Sequence, residues 1–184
     1  MLVGIIIGAV VLLLIIFVIS SYNKLVKQKV NVEEAFATMD VYLKKRFDLI
    51  PNLVETVKGY AKHESETLIA VIEKRGSNYD SMTEEQKIES GAAISSVIPN
   101  IMALAESYPD LKANQNFMNL SNQLEAVEED IANSRKYYNG TVKRYNMSVQ
   151  TIPTNIIAGM FHFEKPMFEV ESQAERQNVK VKFD

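Results

Sequence analysis

The residues able to do chemistry are few, and their spacing does not assemble a reaction centre. The chain of 184 residues has two histidines and no cysteine, which excludes disulfides, thiolate metal sites and a cysteine nucleophile. His63-Glu64-Ser65-Glu66 shares only its first two letters with a zinc-protease helix, where a second histidine must follow one turn later to complete the ligand pair. His63 therefore reads as a solvated helix residue. Glu125, Glu128, Glu129 and Asp130 crowd carboxylates together, but a helical di-metal site needs Glu-x-x-His pairs on facing helices, and no histidine stands at such a position. These acids read as a solvated face. With no Gly-rich phosphate loop and no serine in a nucleophile elbow, no catalytic residue, metal ligand or cofactor site is assigned.

A different kind of polar group lies beside apolar positions. In Lys44-Lys45-Arg46-Phe47-Asp48-Leu49-Ile50-Pro51-Asn52, charges are interleaved with core residues; Lys44 and Asp48 stand one helical turn apart and can pair, as can Glu55 and Lys58. A second set, Glu106, Tyr108 and Asp110 with Asn133, Arg135, Tyr137, Tyr138 and Asn139, is able to meet the first across a helical bundle. Two roles fit Arg46, Asp48, Asn52, Glu106, Tyr108, Arg135 and Tyr138: a network that fixes helix register, or a patch that binds a partner.

The elements that would position these groups are helices. From Tyr22 to about Arg75 apolar residues recur at three- and four-residue steps, through Phe36, Met39, Leu43, Phe47, Ile50, Val54, Val57, Ala61, Leu68 and Val71. Two successive four-residue steps across Leu43 and Phe47 act as a stutter, and Pro51 removes a backbone donor nearby. A kink there, or a break with Asp48 capping a new helix, is expected. Gly76 to Asp80 punctuates the chain, and Ser81-Met-Thr-Glu84 has the form of a capping box. A shorter amphipathic helix follows through Ile88, Ala92, Val97, Ile98, Ile101, Leu104 and Ala105, weakened by Gly91 and Pro99. After the turn Tyr108-Pro109-Asp110, the positions Phe117, Leu120, Leu124, Val127, Ile131, Ser134, Tyr138, Thr141, Tyr145, Ser148 and Ile152 alternate steps of three and four. They predict one coiled-coil-like helix of about forty residues that runs through Asn139-Gly140. Three Asn-x-Ser/Thr triplets, at Asn119, Asn139 and Asn146, fall inside predicted helix and read as chance. Beyond Pro153 the helical period is lost, and Val179, Val181 and Phe183 alternate with lysines as a short strand does. Such a tail is ordered by docking on the bundle or by joining another protein's sheet edge.

The N-terminal stretch from Leu2 to Ile19 holds no charge, and the first charged side chain is Lys24. Eighteen to twenty apolar residues at ~1.5 Å each match the roughly 30 Å hydrocarbon core of a bilayer. No polar stripe marks it as a core helix, and no base precedes it as in a cleaved signal peptide. Gly4 and Gly8 form a GxxxG spacing at one end of the span. Lys24, Lys27 and Lys29 follow the span with no acid before Glu33; the positive-inside rule then predicts the N-terminus outside and the body in the cytoplasm. A net charge of −3 with interspersed signs argues against nucleic acid as the main partner.

Several runs resemble the bacterial LemA family: Tyr22-Asn-Lys-Leu-Val26, Asp40-Val-Tyr-Leu-Lys-Lys-Arg-Phe-Asp-Leu-Ile-Pro-Asn-Leu-Val-Glu-Thr-Val-Lys-Gly-Tyr60, Ala105-Glu-Ser-Tyr-Pro-Asp-Leu-Lys-Ala113, Arg135-Lys-Tyr-Tyr-Asn139 and Asn155-Ile-Ile-Ala-Gly-Met160. Phe36 departs from the pattern, where tryptophan is expected in many members, and so does Pro99 with the weak helix around it. The resemblance implies an N-terminal membrane helix with a short outside N-terminus and a cytoplasmic helical bundle. It also implies a kinship with proteins that take part in forming bacterial internal membranes or are encoded near membrane proteases. It brings no catalytic residues.

These readings combine into an all-α protein with a single N-terminal transmembrane helix, an elongated antiparallel bundle of long helices and a short extended C-terminal tail. The expected organisation is 1–23 as anchor, 24–152 as cytoplasmic bundle and 153–184 as apolar loop and strand-like tail. The function expected is a non-enzymatic scaffold or adaptor in the bacterial inner membrane. Its partners would be the lipid bilayer, further copies of the chain, or a membrane protein such as a protease. One alternative is regulation of a membrane protease through Val179, Val181 and Phe183; another is an enzyme whose acidic site no known spacing marks.

Overall fold

The computed structural model describes residues 1–61, 69, 72–73 and 78–163. The alternating tail at Val179, Val181 and Phe183, together with His63, Leu68 and Val71, lies outside the described residues. Five α-helices are described: α1 (Leu2–Lys58), α2 (Glu84–Glu106), α3 (Pro109–Lys112), α4 (Gln115–Gln150) and α5 (Thr154–Met160), with a 3-10 turn at Tyr79–Ser81. The all-α expectation holds, with no strand among the described residues.

Helix α1 is 57 residues long and passes through Pro51 without a break. The break that would have made Asp48 a cap does not form; the helix ends at Gly59 and Tyr60, where the Tyr60 and Ala61 amides both donate to the Val57 carbonyl. The helix therefore stops short of the expected end near Arg75. Burial explains both results. Leu25, Val32, Met39, Arg46 and Leu53, spaced by seven, are each no more than 1 % exposed, and Phe36, Leu43, Ile50 and Val57 form the second row of the seam. This is an unbroken heptad pattern. The stripe read through Phe47 and Val54 is buried as well, at 3 % and 1 % exposure, so the interior face of α1 is wider here than one seam and takes in Arg46, a charged residue that hydrophobicity passes over. Ile50, Leu53 and Val54 are buried on either side of Pro51. Their packing offsets the hydrogen bond that the proline cannot make, a loss of about 3 kcal/mol in an unsupported helix. Asp48 caps nothing; it accepts from Lys44 Nζ at 2.8 Å.

The second helix starts two residues later than the capping box read from Ser81. Thr83 is the N-cap, its hydroxyl accepting from the Gln86 amide at 3.3 Å while Gln86 Oε1 accepts from the Thr83 amide at 2.9 Å. Glu84 is thus in the first turn, where its charge complements the helix dipole. Neither Gly91 nor Pro99 interrupts α2, and its buried face is Gly91, Ile94, Val97, Ile101 and Ala105. Ala92, placed in the stripe by spacing alone, is exposed.

Pro109 opens α3 at its first turn, where a missing donor is harmless, and Asn114 then caps α4 by accepting from the Phe117 amide at 3.0 Å. Helix α4 continues through Asn139 and Gly140, as its register predicts. In its last third the buried residues are Thr141, Val142, Tyr145 and Val149; Ser148 is half-buried, and Ile152, beyond the end of the helix, is 77 % exposed. A straight helix drifts by ~20° per heptad, so the seam moves from Ser148 to Val149, and the helix ends at Gln150 before Ile152 is reached. Helix α5 ends in a Schellman motif: the Phe163 amide donates to the Ala158 carbonyl at 2.9 Å, with His162 left-handed at φ 53°.

The chain divides into two compact units. Among the described residues one takes 1–37 with 135–163, and the other falls within 38–134. In the first, Phe36 and Tyr138 meet edge to face at 5.9 Å, and the core holds Leu25, Val32, Val142 and Ile157. In the second, Arg46 bonds Glu128 and, fourteen residues on, Tyr60 bonds Asn114, fourteen residues back from Glu128. Equal and opposite steps are the signature of antiparallel helices.

Candidate functional site

Within the unit spanning 38–134, two clusters of polar residues reach the interior and join separate elements. The first is centred on Arg46. The seam of α1 carries this side chain inward, and α2 makes room for it with a glycine: a Cβ on Gly91 would lie 3.1 Å from Arg46 Nη2 and 3.0 Å from Leu43 Cδ2. Arg46 Nη2 donates to the Gly91 carbonyl at 2.7 Å, and Nη1 donates to Ser95 Oγ at 2.6 Å. The α4 carboxylate of Glu128 accepts from Nη1 at 2.7 and 3.0 Å through its two oxygens. Arg46 is 1 % exposed and the Glu128 side chain 33 %. Three helices are thereby tied by one guanidinium, whose planar fork suits such a role better than an ammonium. Glu128, read from sequence as one of a solvated acidic set, is instead an ion-pair partner.

The second cluster holds the 3-10 turn against α1. The Tyr79 hydroxyl donates to Asp40 Oδ1 at 2.6 Å, and Lys87 Nζ donates to Asp40 Oδ2 at 2.7 Å. Lys87 Nζ also lies 5.0 Å from the centre of the Tyr79 ring, and Phe47 packs on that ring at 5.0 Å. Burial pushes the Tyr79 phenol well above its ordinary value, reinforced by its hydrogen bond to Asp40 and the negative charge there. Neither Asp40, Tyr79 nor Lys87 was singled out by spacing. A tyrosine directly after a loop signal, Asn78-Tyr79-Asp80, is the one cue that the sequence offered.

The remaining residues of the expected polar network are dispersed. Asp48 pairs with Lys44 on the surface, Glu106 pairs with Lys112 at 2.6 Å, and Asn52 is exposed, its carbonyl accepting from Thr56 Oγ1 at 2.8 Å. Tyr108 is half-buried ahead of α3. Arg135 and Tyr138 belong to the other unit, where Arg135 is half-buried and Tyr138 packs on Phe36. Of the seven, Arg46 joins three helices, through its bonds to α2 and α4. Among the described residues no group of three or more His, Cys, Asp or Glu is placed to hold a metal ion.

The surface of the first unit is of a different kind. From Leu2 to Ile19 every side chain of α1 is exposed apart from half-buried Val18, and all but Gly4 and Gly8 are apolar and larger than glycine. This segment is long and apolar enough to cross a membrane. Helix α2 passes the same test of length and composition, but it carries Glu84, Glu85 and Glu89 and buries one face in the core. Lys24, Lys27 and Lys29 are exposed just beyond the apolar stretch, with Lys29 Nζ 3.9 Å from Glu33.

An all-helical body whose ionic groups tie helices together, preceded by an apolar helix compatible with a membrane anchor, defines the class of protein. Comparison with known proteins gives the family: the LemA family model matches residues 35–183, and the chain belongs to the LemA family. A curated relative, Protein LemA of Metamycoplasma hominis, is 24 % identical over 159 residues, covering 85 % of this chain and 72 % of its own length. The family's name is not that of an enzyme class.

Proposed function

We propose that the protein is a non-enzymatic scaffold or adaptor held in the bacterial inner membrane by Leu2–Ile19, with its N-terminus outside and its helical body in the cytoplasm. The observation that carries this reading is the exposure of an uncharged apolar helical stretch on every face, continuous in α1 with a heptad seam that begins at Leu25. Sixteen apolar side chains in water would cost tens of kcal/mol at about 25 cal/mol per Å2, and a bilayer removes that cost. Lys24, Lys27 and Lys29 support the orientation through the positive-inside rule. The inward-facing ions support a structural role for the body, because Arg46 and Asp40 spend their bonds on other helices of the same chain.

The scaffold role requires association with further copies or with membrane-protein partners. Light scattering coupled to size exclusion in mild detergent, together with crosslinking in native membranes, tests it. Oligomers or a reproducible crosslinked partner are expected; a strict monomer that crosslinks to nothing refutes the scaffold. Protease added to sealed inverted vesicles should digest the body, and protection of the body would reverse the topology.

A further inference from the structure

Helix α5 is seven residues long and has two unlike faces. Ile157 and Ala158 are buried, whereas Ile156 and Met160, four residues apart on the other face, are 60 % and 63 % exposed. Ile152 before the helix and Phe161 after it extend that exposed apolar surface. From Tyr145 to Phe163 the chain contains no Asp, Glu, Lys or Arg. A water-facing surface of this length normally carries charge, so something apolar is required here.

Contacts within the same unit place this surface beside the end of the apolar span. Phe161 and Phe163 pack edge to face on Tyr22 at 4.8 and 5.6 Å, and Tyr22 stands one turn beyond Ile19, the last residue of the apolar span. The other end of α5 is at the same level. Helix α4 meets α1 at Tyr138 and Phe36; twelve residues on from Tyr138 is Gln150, the end of α4, and twelve residues back from Phe36 is Lys24. At ~1.5 Å per residue the chain therefore leaves α4 roughly 8 Å beyond the end of the apolar span. That is the depth of the headgroup zone, which occupies some 5 to 8 Å on each side of the hydrocarbon core.

We propose that α5 is a second membrane contact: Ile152, Ile156, Met160 and Phe161 lie in the bilayer interface beside the base of the anchor. This rests on the anchoring of Leu2–Ile19 proposed above and deepens it. The occupant is lipid because the patch is continuous, through Tyr22, with the apolar face of the anchor, and because its uncharged surface is flanked by the exposed cations Lys24 and Lys27, which suit anionic headgroups. Tyrosine and phenylalanine at this level match the aromatic belt of membrane proteins. The unit would then be held at a defined height and rotation on the membrane, which one helix alone does not impose.

The native chain has no cysteine, so single nitroxide labels report depth directly. Full-length chains carrying Ile156→Cys, Met160→Cys, Leu12→Cys or Lys143→Cys are placed in nanodiscs of phosphatidylcholine and phosphatidylglycerol, with far-UV circular dichroism confirming the fold. Labels at 156 and 160 should collide with oxygen several-fold more than with a water-soluble nickel chelate, as the label at 12 does, and the label at 143 should show the reverse. Nickel access at 156 and 160 with lipid access at 12 overturns the inference and leaves the anchor standing. Shielding of 156 and 160 from both reagents also overturns it, because protein then covers the patch, either a second copy or residues 164–184. Nickel access at 12 removes the anchor and this inference with it.

Discussion

Truncating Glu128 should harm the fold more than replacing the arginine it pairs with. In Glu128→Ala the Arg46 guanidinium stays at 1 % exposure with only Ser95 Oγ and the Gly91 carbonyl left as acceptors. Breaking a fully buried ion pair costs about 3–5 kcal/mol. Because the Glu128 side chain is one-third exposed, part of its charge was already solvated and the cost falls to about 2–3 kcal/mol. Arg46→Met removes the buried cation itself. The Gly91 carbonyl lies inside α2 and keeps its helical partner, Glu128 turns toward water, and the unpartnered Arg46 Nε disappears. The new side chain meets Leu43, Ile50 and Leu53 in the seam, so the change should be within about 1 kcal/mol of the parent. For a chain of this size these values translate into a fall in Tm of roughly 5 to 10 °C for Glu128→Ala and under about 4 °C for Arg46→Met. Thermal unfolding of the full chain in mild detergent, followed by circular dichroism, measures both. The double variant should match Arg46→Met alone. If Glu128→Ala proves milder than Arg46→Met, or if the double variant equals the sum of the two, the bond is a surface pair and the reasoning fails.

Two glycines inside helices should respond with opposite signs in the same assay. Gly140→Ala meets nothing within 4 Å and should stabilise by about 0.5–1 kcal/mol from helix propensity, whereas Gly91→Ala presses on Leu43 and Arg46 and should lose about 1 kcal/mol or more once overpacking is set against that gain. Tyr79 is one of eight tyrosines; its raised phenol pKa contributes stability that is complete below the ordinary value of about 10 and is lost as pH rises above it. Alkaline absorbance titration should leave the Tyr79 phenol un-ionised until the chain unfolds, and Tyr79→Phe should reduce that late step by one phenol. Removing the cap of α4 with Asn114→Ala should cost about 1 kcal/mol, and it also takes away the bond to the Tyr60 hydroxyl; an unchanged unfolding midpoint would show that the first turn of α4 is held by packing alone.

The helices, their approximate lengths and the apolar N-terminal stretch were legible because each is a property of neighbouring residues. A seam repeats within its own helix, and Phe117 to Tyr145 kept their period through Asn139-Gly140 for that reason. The same locality caused the misreadings. Hydrophobicity found Phe47, which is buried, but skipped Arg46, which is buried too, and Thr83 lost the cap to Ser81 because both begin plausible boxes. The lateral drift of α4 that buries Val149 rather than Ser148 is equally invisible to a fixed seven-residue repeat.

The sequence by itself therefore determined a LemA-family chain with a helical body and an uncharged span at its start, since composition and period are written along one strand of residues. Only the tertiary structure decided what Arg46 and Asp40 do. Gly91, Ser95 and Glu128 stand 45, 49 and 82 residues from Arg46, and Tyr79 and Lys87 stand 39 and 47 from Asp40. No helical period links positions so distant. They meet because the crossing register of packed helices sets which side chains share the interior, and a charged group there must find its partners on whichever helix that register brings.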